Sequence, residues 1–230
     1  MQVLRPITAN DFEALKQIAI ESGHGFTSLP VDDAQLKEKI ERAEKSFAKN
    51  INQPLDESYL FVLEDSETGD VIGTTAIEAA VGLSVPLYHY HLGKTVHHSP
   101  TLNVYNTVDI LSMCNDYTGC SEICTLFLRE NSRKGLTGRF LSRSRFLFMA
   151  QHSERFADTI IAEMRGVSDE NGHSPFWQWL EEHFFSIEFP LADHLVGLGD
   201  KVFISELMPK YPIYANLLSK KAQAVIGKVH

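Results

Sequence analysis

The chain has 230 residues, of which 43% are hydrophobic, 10% aromatic and 22% charged, enough for folding to hide about 70% of the extended surface. That composition excludes a disordered, collagenous or coiled-coil protein, and no apolar run approaches the roughly 20 residues of a membrane helix. The net charge of −9 argues against nucleic acid as the main partner and is compatible with a cationic substrate.

Met1 to Pro6 carries no apolar h-region, so the expected compartment is the cytoplasm. Val3 to Ile7 reads as a first strand. Thr8 and Asp11 form a capping-box pattern ahead of Phe12, Leu15, Ile18 and Ala19 at helical spacing, with Gly23 as the stop. A second helix sets Leu36, Ile40, Ala43 and Phe47 on one face, with most of its charges elsewhere. The period then changes to that of strands. Tyr59–Leu63 and Val71–Ile77 flank the turn Asp65–Asp70, which is a hairpin signal.

Ala79 to Gly119 mixes His, Tyr, Pro and Asn without sustained period and is read as an irregular or β-rich elaboration. Ile123–Leu128 is short, apolar and bounded by polar residues, the pattern of a buried strand. A polar loop, Arg129–Gly138, leads to a helix over Arg139–His152. Thr159–Met164 reads as a strand, Ser174-Pro175 as the start of a helix reaching Phe184, Val202–Leu207 as a strand, and Ser219–Ile226 as a helix capped by Gly227. The order predicts a single α+β domain over residues 1–230 with a mixed central sheet flanked by helices.

Three cysteines, Cys114, Cys120 and Cys124, fit neither a zinc knuckle nor a Cys-x-x-Cys redox pair and read as reduced thiols. Cys124, inside the apolar strand, is expected to be a small buried hydrophobe and not a nucleophile. His89 and His91 alternate with Tyr88 and Tyr90, so a strand there puts both on one face. His97 and His98 follow, but no carboxylate or cysteine motif accompanies them, and no metal is expected. Trp177, Trp179, Phe184 and Phe185 read as core.

The chemistry concentrates between Arg129 and Arg145. Six basic residues stand there against Glu130 alone, in a chain that is acidic overall. A strand feeds a loop holding Gly135-Leu136-Thr137-Gly138, which opens a helix. The free N–H groups of a helix's first turn suit a phosphate, and arginines there oppose the helix dipole unless an anion is bound. One reading is therefore a diphosphate cradle, the other a solvated basic loop.

A strand bearing Arg5-Pro6, two helices, a hairpin, then an apolar strand running into a basic glycine loop and helix resembles the GCN5-related N-acyltransferases. That resemblance implies an acyl-CoA, with pantetheine along Leu126, Phe127 and Leu128 and diphosphate on Arg133, Lys134, Gly135, Leu136, Thr137, Gly138 and Arg139. The family loop commonly reads Gln/Arg-x-x-Gly-x-Gly/Ala, whereas Ser132 to Thr137 has serine first and threonine last, with Gly138 next to it.

Longer strings, Thr118–Leu128, Glu163–Asp169, Ser174–Trp177, Glu206–Lys210 and Val225–His230, resemble the bacterial arginine N-succinyltransferase family. The resemblance implies succinyl transfer from succinyl-CoA to the α-amine of L-arginine, the first step of an ammonia-producing arginine degradation. It implies His230 as proton donor and Leu126 as a succinyl-CoA contact. Members of that family run on beyond this length, so these residues are expected to correspond to an amino-terminal portion. Another amine acceptor, or a non-catalytic acyl-CoA-binding subunit, stays open, as does a homo- or hetero-oligomer.

A succinyl group ends in a carboxylate and calls for a cation, best a guanidinium fork. Arg165 is the first candidate and Lys210 the second, against an ordinary ion pair of Arg165 with Glu163 or Asp169. The arginine substrate needs carboxylates, for which Glu163, Asp169 and Glu206 are candidates.

Overall fold

The computed structural model describes residues 1–23, 26–170, 172–197 and 199–230. Its fold is α+β. The chain divides into two compact units, one formed by Met1–Val85 and Tyr117–Glu163, the other by Pro86–Asp116 and Met164–His230.

The first unit is built on a mixed five-stranded sheet. Its strands are β1 (Gln2–Pro6), β2 (Ser58–Asp65), β3 (Asp70–Glu78), β6 (Ser121–Leu128) and β7 (Ile160–Ile161), in the order β1-β2-β3-β6-β7. β4 (His89–Ser99) and β5 (Val104–Cys114) belong to the second unit. All pairs of the first sheet are antiparallel except β6 with β7, which is parallel. Alternation along β2 divides the core. Leu60 and Val62 pack with Leu15 and Ile18 of α1 (Phe12–Ser22) and with Leu36, Ile40 and Ala43 of α2 (Asp33–Ala48). Tyr59 and Phe61 face the other way, onto Met149 and Phe148 of α3 (Thr137–Gln151) and onto Phe156. A strand covered on both faces has no use for alternating polarity, which is why β2 is apolar almost throughout.

Local chemistry fixes the helix starts. Asp32 accepts from the Gln35 N–H at 2.9 Å to cap α2. The expected box at Thr8 is present, with the Asp11 carboxylate accepting from the Thr8 N–H at 2.8 Å. Arg5 donates two 2.8 Å hydrogen bonds to the same carboxylate, tying β1 to the entry of α1.

In the second unit β4 and β5 form a long antiparallel hairpin, His89 opposite Cys114 through Ser99 opposite Val104, and β8 (Ile213–Tyr214) pairs with β5. The stretch read as an irregular elaboration is thus mainly this hairpin. The helices are α4 (Pro175–Leu180), α5 (Phe189–Gly197), α6 (Val202–Leu207) and α7 (Lys220–Val225). Ser174 caps α4, with Pro175 in its first turn, and Ser219 caps α7. Trp177, Trp179 and Phe185 join Leu111, Leu180, Ile213 and Leu218 in the unit's core, as read from the sequence. Phe184 is 40% exposed.

Two strand readings fail. Val202–Leu207 is helical, with the Ser205 hydroxyl donating to the Val202 carbonyl at 2.8 Å and the helix ending at Met208, before Pro209. A six-residue apolar run fits strand or helix equally, and periodicity cannot decide at that length. Of Thr159–Met164 only Ile160 and Ile161 pair, with Ser121 and Glu122. The third helix starts at Thr137, two residues before the expected Arg139.

Candidate active site

The site is built where β6 turns into α3. β3 and β6 pair Gly73 with Leu128 and Thr74 with Phe127, then slip, so that Ala76 meets Cys124. Thr125 and Leu126 together stand opposite Thr75, which is a β-bulge, and Thr125 takes a left-handed φ of 51°. That conformation costs a β-branched residue of order 1–3 kcal/mol. A bulge re-aims side chains and leaves a residue outside the ladder; here Leu126, 42% exposed, is the one exposed residue of β6. The parallel pairing with β7 is confined to Ser121 and Glu122, so beyond Glu122 β6 runs on without it.

The chain leaves β6 through a short 3-10 turn, Glu130–Ser132, and enters α3. Arg133 donates from Nε to the Leu128 carbonyl at 2.9 Å and its guanidinium lies 5.8 Å from the Phe127 ring centre. Lys134 donates its N–H to Ser132, and Thr137 donates its N–H to Lys134. The Thr137 hydroxyl accepts from Gln2 at 2.9 Å. The N–H groups of Gly135, Leu136, Gly138 and Arg139 carry no hydrogen bond among the described residues. Gly135 has φ +53°, which glycine adopts without a Cβ penalty.

Leu126, Phe127, Leu128, Arg133, Lys134, Gly135, Gly138, Arg139 and Leu141 line a cavity of about 500 Å³ here. Eight of the ten residues expected to bind acyl-CoA are therefore brought together. Leu136 and Thr137 do not line the cavity: Leu136 points to solvent, 68% exposed, and Thr137 is turned inward to Gln2. Leu141 was missed. It lies one turn after Thr137 on the helix's buried stripe of Thr137, Leu141, Arg145 and Met149, a spacing legible in the sequence once the helix start is right. Among the described residues Arg133, Lys134 and Arg139 face no carboxylate. Three unneutralised cations, free amides and an apolar strand suit a ligand with an anionic end and an apolar tether.

The other candidates belong to the second unit, apart from Glu163 at the end of the first. Arg165 is exposed and donates to the Ser168 hydroxyl at 3.3 Å, and among the described residues it forms no ion pair with Glu163 or Asp169. Asp169 instead accepts from the N–H and ring nitrogen of His173. Glu163, Glu206 and Lys210 are exposed. His230 donates its N–H to the Arg165 carbonyl at 2.8 Å, beside a bridge between Gly166 and Val229, and its ring is exposed. Folding also supplies what the histidine pattern lacked: His89, Cys114 and Asp116 bring one ligand atom each within 4.8 Å across the hairpin, with His91 Nδ1 3.9 Å from Asp116. Asp116 and His91 are both largely exposed.

The apolar strand running into a basic glycine loop and helix, the feature that resembles the GCN5-related N-acyltransferases in sequence, is present here on a mixed α+β sheet. The family described as arginine N-succinyltransferase beta subunit matches residues 2–230. Over all 230 residues the chain is 54% identical to the arginine N-succinyltransferase of Citrobacter koseri and 53% identical to that of Escherichia coli, and spans 67% of the length of each. The structure of arginine/ornithine succinyltransferase subunit AI from Pseudomonas aeruginosa superposes with a TM-score of 0.90 at 40% identity, covering 100% of this chain and 67% of that one. The chain belongs to the arginine N-succinyltransferase family. No helix among the described residues is long and apolar enough to cross a membrane.

Proposed function

We propose that this chain carries the acyl-donor site of an enzyme that transfers succinyl from succinyl-CoA to the α-amine of L-arginine. The observation that carries the reading is the cavity between bulged β6 and the start of α3, with its three unneutralised cations and free amides. The diphosphate of coenzyme A fits the α3 end, where N–H groups and Arg133, Lys134 and Arg139 supply positive potential. Pantetheine is apolar at its methyl groups and amide-bearing along its length, matching a strand with side chains such as Leu126 and Leu128 and unused backbone groups.

The chemistry is thioester aminolysis. The neutral amine nitrogen attacks the thioester carbonyl carbon, and the π electrons move to the oxygen. Backbone N–H groups at the bulge around Leu126 stabilise that oxyanion, each such donor contributing about 3–4 kcal/mol. Collapse re-forms the carbonyl and expels the coenzyme A sulfur. His230 protonates the leaving sulfur, as imidazolium can near neutral pH, and the attacking nitrogen loses its proton to solvent. Cys124 takes no part, since burial pushes its thiol up and keeps it neutral. The substrates are small molecules, the family fits a cytoplasmic location, and no metal enters this scheme.

The test is release of free thiol from succinyl-CoA with and without L-arginine. Arginine-dependent release is expected, and His230→Ala is expected to lower turnover at least 100-fold while leaving coenzyme A affinity unchanged. Unchanged turnover in that variant removes the role of His230. Release only with another amine points to a different acceptor, and ornithine belongs in the comparison because the P. aeruginosa protein's name includes it.

A further inference from the structure

Among the described residues one buried cation has no counter-charge. Arg145 is 4% exposed, the only arginine in the described core. Arg5, Arg42 and Arg129 each face a carboxylate. Among the described residues Arg145 donates within its own helix, from Nε to the Ser142 carbonyl and from Nη2 to the Ser142 hydroxyl, each at 3.1 Å. Both acceptors are neutral. Burial pulls its guanidinium below the ordinary arginine value, and the sole titratable group acting on it is the Cys124 thiol of β6. A guanidinium stays protonated in a protein, and a desolvated ion without a partner costs several kcal/mol. Such a group is explained by an anion that arrives with a ligand.

Its place says which part of the ligand. Along α3 the order is the free amides of Gly138 and Arg139, then Leu141 in the cavity wall, then Arg145 one turn further on the same face. Along β6, running back from the loop, the order is Leu128, exposed Leu126, then Cys124. A donor laid with its diphosphate at the amides and its thioester at Leu126 therefore continues back along β6 beneath α3, the helix that carries Arg145 one turn past Leu141 of the cavity wall. Two strand residues span about 6–7 Å. The three C–C bonds from a succinyl thioester carbon to its terminal carboxylate span roughly 4 Å, and the arginine fork makes up the difference.

We propose that Arg145 is the cation that receives the terminal carboxylate of the succinyl group, so that it, and not Arg165, sets the preference for a dicarboxylic acyl donor. The inference rests on the acyl-CoA reading of the cavity. A succinyl carboxylate completes the buried fork, whereas an acetyl group leaves it unpaired.

The experiment is calorimetric titration of the protein with coenzyme A, acetyl-CoA and succinyl-CoA, for the native chain, Arg145→Gln and Arg145→Lys. The native chain is expected to bind succinyl-CoA more tightly than acetyl-CoA. Arg145→Gln is expected to lose succinyl-CoA affinity by 10–100-fold, as for removal of a charge-assisted hydrogen-bonded pair, while coenzyme A and acetyl-CoA change less than twofold. Arg145→Lys keeps the charge and a part of the preference. Equal losses for all three ligands, or an unchanged preference in Arg145→Gln, overturn the assignment while leaving the acyl-CoA site standing. Should Arg145→Gln fail to fold, Arg145→Lys decides, since an undiminished preference without the fork overturns it. No coenzyme A binding by the native chain overturns both readings.

Discussion

Gly73 and Phe127 meet through bare backbone: a methyl group on Gly73 would stand 2.8 Å from the Phe127 carbonyl oxygen. The same methyl would lie 3.1 Å from Leu128 Cδ1 and 3.2 Å from Leu141 Cδ2, two side chains of the cavity wall. β3 must be this thin for α3 to approach β6 and close the cavity. Gly73→Ala is expected to cost about 1–3 kcal/mol as overpacking and to weaken coenzyme A binding, read together from urea midpoints and titration. An unchanged midpoint would show that β6 moves freely away from β3.

Asp11 gives the fold a pH-dependent clamp. Burial pushes its carboxyl up, but hydrogen bonds from Arg5 and Thr8 outweigh that and hold it below the usual carboxylate range. A depressed carboxyl contributes stability in full above its unfolded value of about 3.9 and loses it as pH falls through the lower folded value. Asp11→Asn is therefore expected to lower stability by about 1–2 kcal/mol at pH 7. The gap in Tm between the two proteins is expected to narrow from pH 5 to pH 3. A gap independent of pH would mean that the carboxyl's shape, and not its charge, matters.

The loop cations should act on the nucleotide and not on the acyl chemistry. Replacing Arg133, Lys134 and Arg139 together by glutamine is expected to weaken coenzyme A affinity at least tenfold at low salt, with the difference shrinking as ionic strength rises. Turnover of a succinyl thioester of pantetheine, which lacks the diphosphate, is expected to stay within twofold of native. Equal damage to both donors would assign those residues to folding.

The grouping of His89, Cys114 and Asp116 in the second unit offers a separate measurement. The proposed aminolysis needs oxyanion donors and a proton, not a Lewis acid. Prolonged dialysis against EDTA is expected to leave arginine-dependent thiol release unchanged, and loss restored by zinc would give that cluster a part in the reaction.

The helices α1 and α2, the first hairpin and the β6–loop–α3 unit were legible because each carries its own period or its own punctuation. Leu36, Ile40 and Ala43 repeat at helical spacing, and Asp65–Asp70 breaks two strand-period runs. The short apolar runs of the last third were not, since Val202–Leu207 has no periodicity to read. Most of the cavity lining was legible for a related reason: it is one continuous stretch, Leu126 to Arg139, whose charge stands against an acidic chain.

What sequence alone settled, then, is whatever neighbours along the chain decide: amphipathic faces, caps, the basic glycine loop and the long strings shared with a family. Tertiary structure decided the bulge at Thr125–Leu126, the thin contact at Gly73, the meeting of His89 with Cys114, and the burial of Arg145. In sequence Arg145 is one of six similar cations. Only packing distinguishes it, because the cost of an unpaired charge depends on how much water the fold removes, and no local pattern of residues encodes that.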